Sequence, residues 1–163
     1  PQRYAPANAP AKPAPASQPA AAASRRIKVQ LYYVGEDGAS LNAVEREVPF
    51  ADQSVEQARA IVIAQLAPAE GLLSAIPAGT TLRALFVTER GEAFVDLSKE
   101  VSTAHAGGST NELLTIYTLV DALTTNLPAI KAVQLLVDGQ EVETLAGHVD
   151  LRRPLTRNLT WVH

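Results

Sequence analysis

The chain has 163 residues, 47% of them apolar, with 14 basic and 17 acidic side chains for a net charge of −3. That is enough for one domain with a buried core, and it lacks the basic excess that binding to nucleic acid or an anionic membrane surface requires. There is no cysteine, which excludes a disulfide framework, a thiolate zinc site and a catalytic thiol. There is no methionine either, so a signal peptide or membrane anchor is expected ahead of Pro1. No stretch of the chain itself reaches the roughly 18 apolar residues of a membrane-spanning helix.

Residues 1–24 hold Pro1, Pro6, Pro10, Pro13, Pro15 and Pro19 with alanines between them and Tyr4 as the one aromatic. This composition predicts a disordered Pro/Ala linker, since it buries too little surface to offset ordering entropy. A folded domain is predicted over 25–163. Ile27, Val29, Leu31 and Tyr33 alternate with Lys28, Gln30 and Tyr32 as a half-buried strand. Tyr32 and Tyr33 must then face opposite sides, and one of them is expected exposed as an interaction residue. After the turn Glu36-Asp37-Gly38, a second strand covers Ala43–Val48 and stops at Pro49.

Ser54 with Gln57 reads as a capping box opening a helix whose apolar face carries Val55, Ala58, Ile61, Val62 and Leu66, with Glu56 and Arg59 outward. Leu82–Thr88 and Glu92–Leu97 read as a hairpin across Glu89-Arg90-Gly91. Both faces of the first run are apolar, which predicts a central strand. Gly107-Gly108 turns the chain into a second helix started by Ser109 and Glu112 as another capping box. Leu113, Ile116, Tyr117, Val120, Leu123 and Leu127 form its stripe, with Asn111 and Thr118 near the exposed side. Ala132–Val137, the Asp138-Gly139 turn and Gln140–Leu145 form a last hairpin. The tail from Gly147 to His163 is expected to lie across the domain with Trp161 docked. The sum is an α+β, two-layer sandwich, with two helices on one face of a mostly antiparallel sheet.

Several segments together resemble a known family: Phe94-Val95-Asp96-Leu97-Ser98; His105-Ala106-Gly107-Gly108-Ser109 with Glu112; Val137-Asp138-Gly139; and Leu145-Ala146-Gly147-His148 with Asp150 and Pro154. With Leu31-Tyr32-Tyr33 and Ile76-Pro77-Ala78-Gly79-Thr80 they are similar to the GerMN domain, the sporulation and spore germination domain of bacterial envelope proteins. The resemblance implies a fold related to ring-building motifs. It also implies attachment to the membrane on its extracytoplasmic side, through an N-terminal segment ahead of this chain. It implies a scaffolding role, with partners among envelope proteins or further copies of the chain held weakly. It supplies no catalytic residue, cofactor or metal. The sequence departs from lipoprotein members in having no cysteine to carry a lipid.

Asp96, Ser98 and His105 invite comparison with a Ser-His-Asp triad, but no strand-turn-helix nucleophile elbow accompanies them, and Ser98 reads as a turn or cap residue. Asp96 and Ser98 are expected as an exposed pair on one strand face. His105, His148 and Asp150 lack metal-ligand spacing and read as loop residues. Gly107-Gly108-Ser109 could cradle an anion at a helix start, but the carboxylate at Glu112 opposes one. Arg25-Arg26 and Arg152-Arg153 with Arg157 read as solvated charge. The expectation is therefore a non-enzymatic scaffold or interaction module. The alternative is a small-ligand or cell-wall-fragment binder, or a hydrolase, using the loop 98–109.

Overall fold

A computed structural model describes residues 25–163, so the expected linker over 1–24 lies outside the described residues. Strand β1 (Arg26–Val34) pairs antiparallel with β2 (Leu41–Pro49) as a separate two-stranded sheet. Helix α1 (Ser54–Leu66) follows, then β3 (Leu82–Val87), β4 (Glu92–Leu97), a short helix α2 (Glu100–Thr103), the long helix α3 (Ser109–Asn126) and β5 (Ala132–Val137). Two-residue strands β6 (Gln140–Glu141) and β7 (Leu155–Thr156) and a 3-10 turn (Leu159–Trp161) close the chain. The second sheet runs β3-β4-β5-β6, with β7 also on β5.

The fold is α+β, with two main helices packed against mostly antiparallel strands. The exception is the β4–β5 pair, which is parallel because α3 carries the chain back across the sheet. The core joins the inward row of this sheet (Leu85, Val95, Leu97, Val133, Leu135) to Ile61 and Val62 of α1 and to Ile116, Leu119, Val120 and Leu123 of α3. Helix α3 also packs on β1, α1 and β7, so it is buried around most of its girth. Thr118, expected near the exposed side, is fully buried. Its hydroxyl donates to the Leu114 carbonyl one turn back, which lets a polar residue sit in the core.

Three strand expectations need correction. β3 is an edge strand: Leu85 is buried but Phe86 is 61% exposed, and its two apolar faces reflect an uncovered outer sheet face. The last hairpin turns at Asp138-Gly139 with both residues at positive φ, as such turns require. Its return stops at Glu141, because β7 occupies the rest of the β5 edge at Ala132 and Val133. Tyr32 and Tyr33 are both buried, at 2% and 3% exposure. Tyr32 lies against the helices, where its hydroxyl donates to Thr125 Oγ1 at 3.1 Å; the tail is pinned to Asp121 at Asn158 and to Leu41 at His163, and Trp161 packs on the core.

Both expected capping boxes are also absent. The residues before the helices, Gln53 and Gly108, make no side-chain cap hydrogen bond, and Ser54 and Ser109 are already helical. Gln57 is buried instead, accepting from the Ala51 N–H and donating to the Pro49 carbonyl. Gln65 and Asn126, in the last turns of the two helices, do the same for β1. Gln65 accepts from the Tyr32 N–H and donates to the Tyr32 carbonyl, both at 2.8 Å. Asn126 accepts from Gln30 N–H (2.9 Å) and donates to its carbonyl (2.8 Å). Val34 N–H donates to the Leu73 carbonyl. The inner edge of β1, the one that faces the helices, is thus paired by two side chains and one loop.

Replacing Gln65 by Leu keeps the volume but strands the N–H and C=O of Tyr32 in the core. The expected loss is about 2–4 kcal/mol, read by urea denaturation. A loss under about 1 kcal/mol would show that this edge does not need its side-chain partner.

Candidate functional site

The residues singled out in the sequence become tethers between segments, each with its own partner. Asp96 is buried, not exposed. Its Oδ1 accepts from the Gly139 N–H at 2.8 Å, and Arg83 stands 3.8 Å from Oδ2. It therefore fixes the Asp138-Gly139 turn. Ser98 joins the ends of β3 and β4: its N–H donates to the Thr81 carbonyl and its Oγ accepts from the Thr81 N–H at 2.9 Å.

His105 has both ring nitrogens engaged. The Gly107 N–H donates to Nδ1 at 2.9 Å, which places the proton on Nε2, and Nε2 lies 2.9 Å from Thr115 Oγ1. The Thr115 hydroxyl donates onward to the Ala75 carbonyl at 2.7 Å. One imidazole thereby links the loop before α3, the helix itself and the loop after α1. Gly107 and Gly108, at φ of +85° and +89°, bend the chain into the helix behind it.

Glu112 is fully buried. Oε1 accepts from the N–H groups of Leu145 (2.9 Å) and Ala146 (3.0 Å), and Oε2 from the His148 N–H (2.9 Å), with the His148 ring at 3.3 Å. Burial pushes this carboxyl upward, but the N–H groups of Ala146, His148, Val149 and Leu145 outweigh it and hold the pKa below the ordinary value. An anion cradle exists here, then, but the loop 145–148 forms it and Glu112 is its anion. Sequence reasoning missed this by treating Glu112 as a cap. The available signal was its spacing, in line with Ile116, Leu119 and Leu123 on the buried stripe.

Asp96, His105 and His148 do not converge: each is held by a different partner. Asp150, once grouped with the histidines, has both oxygens on Arg152. No three His, Asp or Glu groups among the described residues are placed to share a metal ion. A concavity involving the loop 98–109 is a largely apolar groove of about 840 Å³, lined by Val34, Leu73, Ile76, Pro77, His105 and Leu114 among others.

A family model described as Germane, sporulation and spore germination, covers residues 30–143. The chain belongs to the Germane family. The tethers at Asp96, His105 and Glu112 lie inside the matched span. The loop that Glu112 holds lies just beyond it. The Germane fold recurs in solved structures. The tandem GerMN domains of the Bacillus subtilis sporulation protein GerM align with a TM-score of 0.62 at 18% identity, over 81% of this chain and 46% of that one. The first GerMN domain of GerM alone gives 0.57 at 20%, over 80% and 98%. A "Putative Lipoprotein" of Clostridium perfringens gives 0.57 at 24%, over 80% and 87%. No curated protein matches the chain.

Two carboxyls give the domain opposite pH responses. Glu112, depressed when folded, stabilises above the ordinary glutamate range, and that contribution is lost as pH falls through its lowered value. Asp121 is buried with one N–H partner, Asn158, while its Oδ2 has none. Burial, opposed by that N–H and by Arg157, raises it to about 6. Its neutral form favours folding, so its contribution appears as pH falls from 7 towards 4. Chemical denaturation should therefore show a stability maximum between about pH 4 and 5. Glu112→Gln, which turns an amide NH2 onto a backbone donor, should cost about 2–4 kcal/mol at pH 7 and weaken the acid limb. Asp121→Asn should abolish the rise of about 1 kcal/mol expected between pH 7 and 5. If the variants keep the parent's pH profile, neither carboxyl has the assigned role.

Proposed function

We propose that this Germane domain is a non-catalytic scaffold or protein-interaction module of the bacterial cell envelope, working on the extracytoplasmic side in sporulation, germination or envelope assembly. The observation that carries this reading is the use of Asp96, Ser98, His105 and Glu112 as backbone tethers. Each of these side chains is committed to backbone or hydroxyl groups of a different segment, and none of them is hydrogen-bonded to another as a nucleophile and its base would be. Family membership supports the link to sporulation and germination. The envelope location is supported by the Clostridium perfringens relative, whose name carries the word lipoprotein. Partners are other envelope proteins or copies of the chain, bound weakly because α1 turns Glu56 and Arg59 outward.

One observation favours a second reading. The 840 Å³ groove is large enough for a small ligand, and Ala104, His105 and Ala106 of the loop 98–109 line it. The two readings separate in a paired experiment on the full chain. Site-specific photocrosslinking in living cells should yield discrete adducts with envelope proteins, while cell-wall fragments incubated with the purified protein should remain intact. Turnover of a fragment that His105→Ala abolishes, or a strict monomer with no adduct from any surface position, would overturn the module.

A further inference from the structure

The two edges of the β1–β2 sheet are treated very differently. On β1, the even-numbered residues turn their N–H and C=O groups outward, and Gln65, Asn126 and Leu73 pair those of Gln30, Tyr32 and Val34. The antiparallel register then fixes β2: Leu41, Ala43, Glu45 and Glu47 point their backbone groups away from β1. At Leu41 this edge already carries one added rung. Val162 pairs with it in parallel, and the His163 N–H donates to its carbonyl at 2.9 Å.

Beyond that rung, none of the N–H groups of Ala43, Glu45 and Glu47 has a partner among the described residues, and the one contact to their carbonyls is the Arg26 guanidinium on Glu47. All three residues are exposed. Such an edge is a template for one more strand.

We infer that the β2 edge over Ala43–Glu47 is where this domain takes up an extended segment of a partner protein, one carrying basic side chains at alternate positions. The inference rests on the interaction-module reading and names its surface and the chemistry of its partner. Glu45 and Glu47 lie on one face of β2, so an added strand sets two of its own alternate side chains directly opposite them. β1 shows what these carboxylates accept from a neighbouring strand: Lys28, diagonal to Glu45 in the register, brings Nζ to 3.5 Å from its carboxylate, and Arg26, diagonal to Glu47, comes to 3.6 Å. Both ion pairs are half or more exposed, and each carboxylate keeps lone pairs for a second cation. A second copy of this chain is disfavoured. The twofold antiparallel register that uses all three open rungs sets Glu45 against its own counterpart, like charge on like.

The test uses the full chain, labelled with nitrogen-15, and two blocked synthetic peptides, one alternating lysine with valine and one alternating glutamate with valine. The lysine peptide should slow hydrogen exchange at the amides of Ala43, Glu45 and Glu47, leave Tyr32 unchanged, and bind about tenfold tighter than the glutamate peptide. The double substitution Glu45→Lys and Glu47→Lys leaves the backbone edge intact and should reverse that order. Unchanged Tyr32 and Gln30 amides would certify its fold. Equal binding of the two peptides, or no protection at the three amides with either, overturns the inference. Protection that grows with protein concentration in the absence of peptide assigns the edge to a second copy and also overturns it. The module reading stands or falls separately: envelope adducts formed from other surface positions while this edge stays silent would retain the module and discard the edge.

Discussion

The fold depends on closing the inner edge of β1. Leu31, Tyr32 and Tyr33 are buried, so the strand cannot keep water on its outer N–H and C=O groups, and each group left unpaired there costs about 1–3 kcal/mol. A third strand would close the edge, but the last turns of α1 and α3 occupy that space. The helices supply the missing partners as side chains, Gln65 and Asn126, whose carboxamides present the same donor and acceptor pair as a peptide group. This is why the strands divide into two sheets. A carboxamide can end a ladder against a helix, whereas a peptide strand would have continued it.

The same device recurs wherever the chain must turn inside the core. Gln57 satisfies Ala51 and Pro49 before α1, and Gln134 donates to the Leu151 carbonyl under the tail. Glu112 is the charged version, and its choice of carboxylate over carboxamide follows from what it meets. The loop 145–148 offers N–H donors only, so an acceptor-only group fits where an amide would turn its own NH2 onto one of them. Charge-assisted bonds of this kind are about twice as strong as neutral ones, which offsets the desolvation of the carboxylate. Residues that look like chemistry in a linear sequence are here the means by which irregular backbone is kept satisfied.

That explains which features the sequence revealed. The element order, both main helices, the turn at Asp138-Gly139 and the α+β class follow from apolar periodicity and turn residues, which are local. The family resemblance drew on the same motifs and holds. What failed was long-range. The Ser54 and Ser109 capping boxes satisfied a local pattern, but Gln57 and Glu112 found better partners outside their helices, and nothing within four residues reveals this. One of Tyr32 and Tyr33 is expected in solvent from the strict alternation of a strand, yet both are buried, and the Tyr32 hydroxyl is held by Thr125, 93 positions later in the chain. Apolar residues on both faces of β3 suggested a central strand, and the contrary outcome, Phe86 in solvent, depends on the sheet order rather than on the strand itself. The candidate site was legible as a set of residues and not as a set of roles, because those roles are pairings with other segments, from 10 positions away for His105 to 43 for Asp96.

The asymmetry of the β1–β2 sheet ties stability to function. Its inner edge is closed by groups that no change in solution conditions short of unfolding removes, so the hairpin is fixed in angle relative to both helices. Its outer edge is guarded only by exposed charge, the ordinary means of keeping an edge soluble without sealing it. A charge guard is selective in a way that a proline or a covering loop is not. It repels strands of like pattern, including its own copy, and admits those of opposite pattern. A rigidly mounted edge of this kind loses little conformational entropy on pairing, so even a contact of three rungs can be specific while remaining weak enough to release.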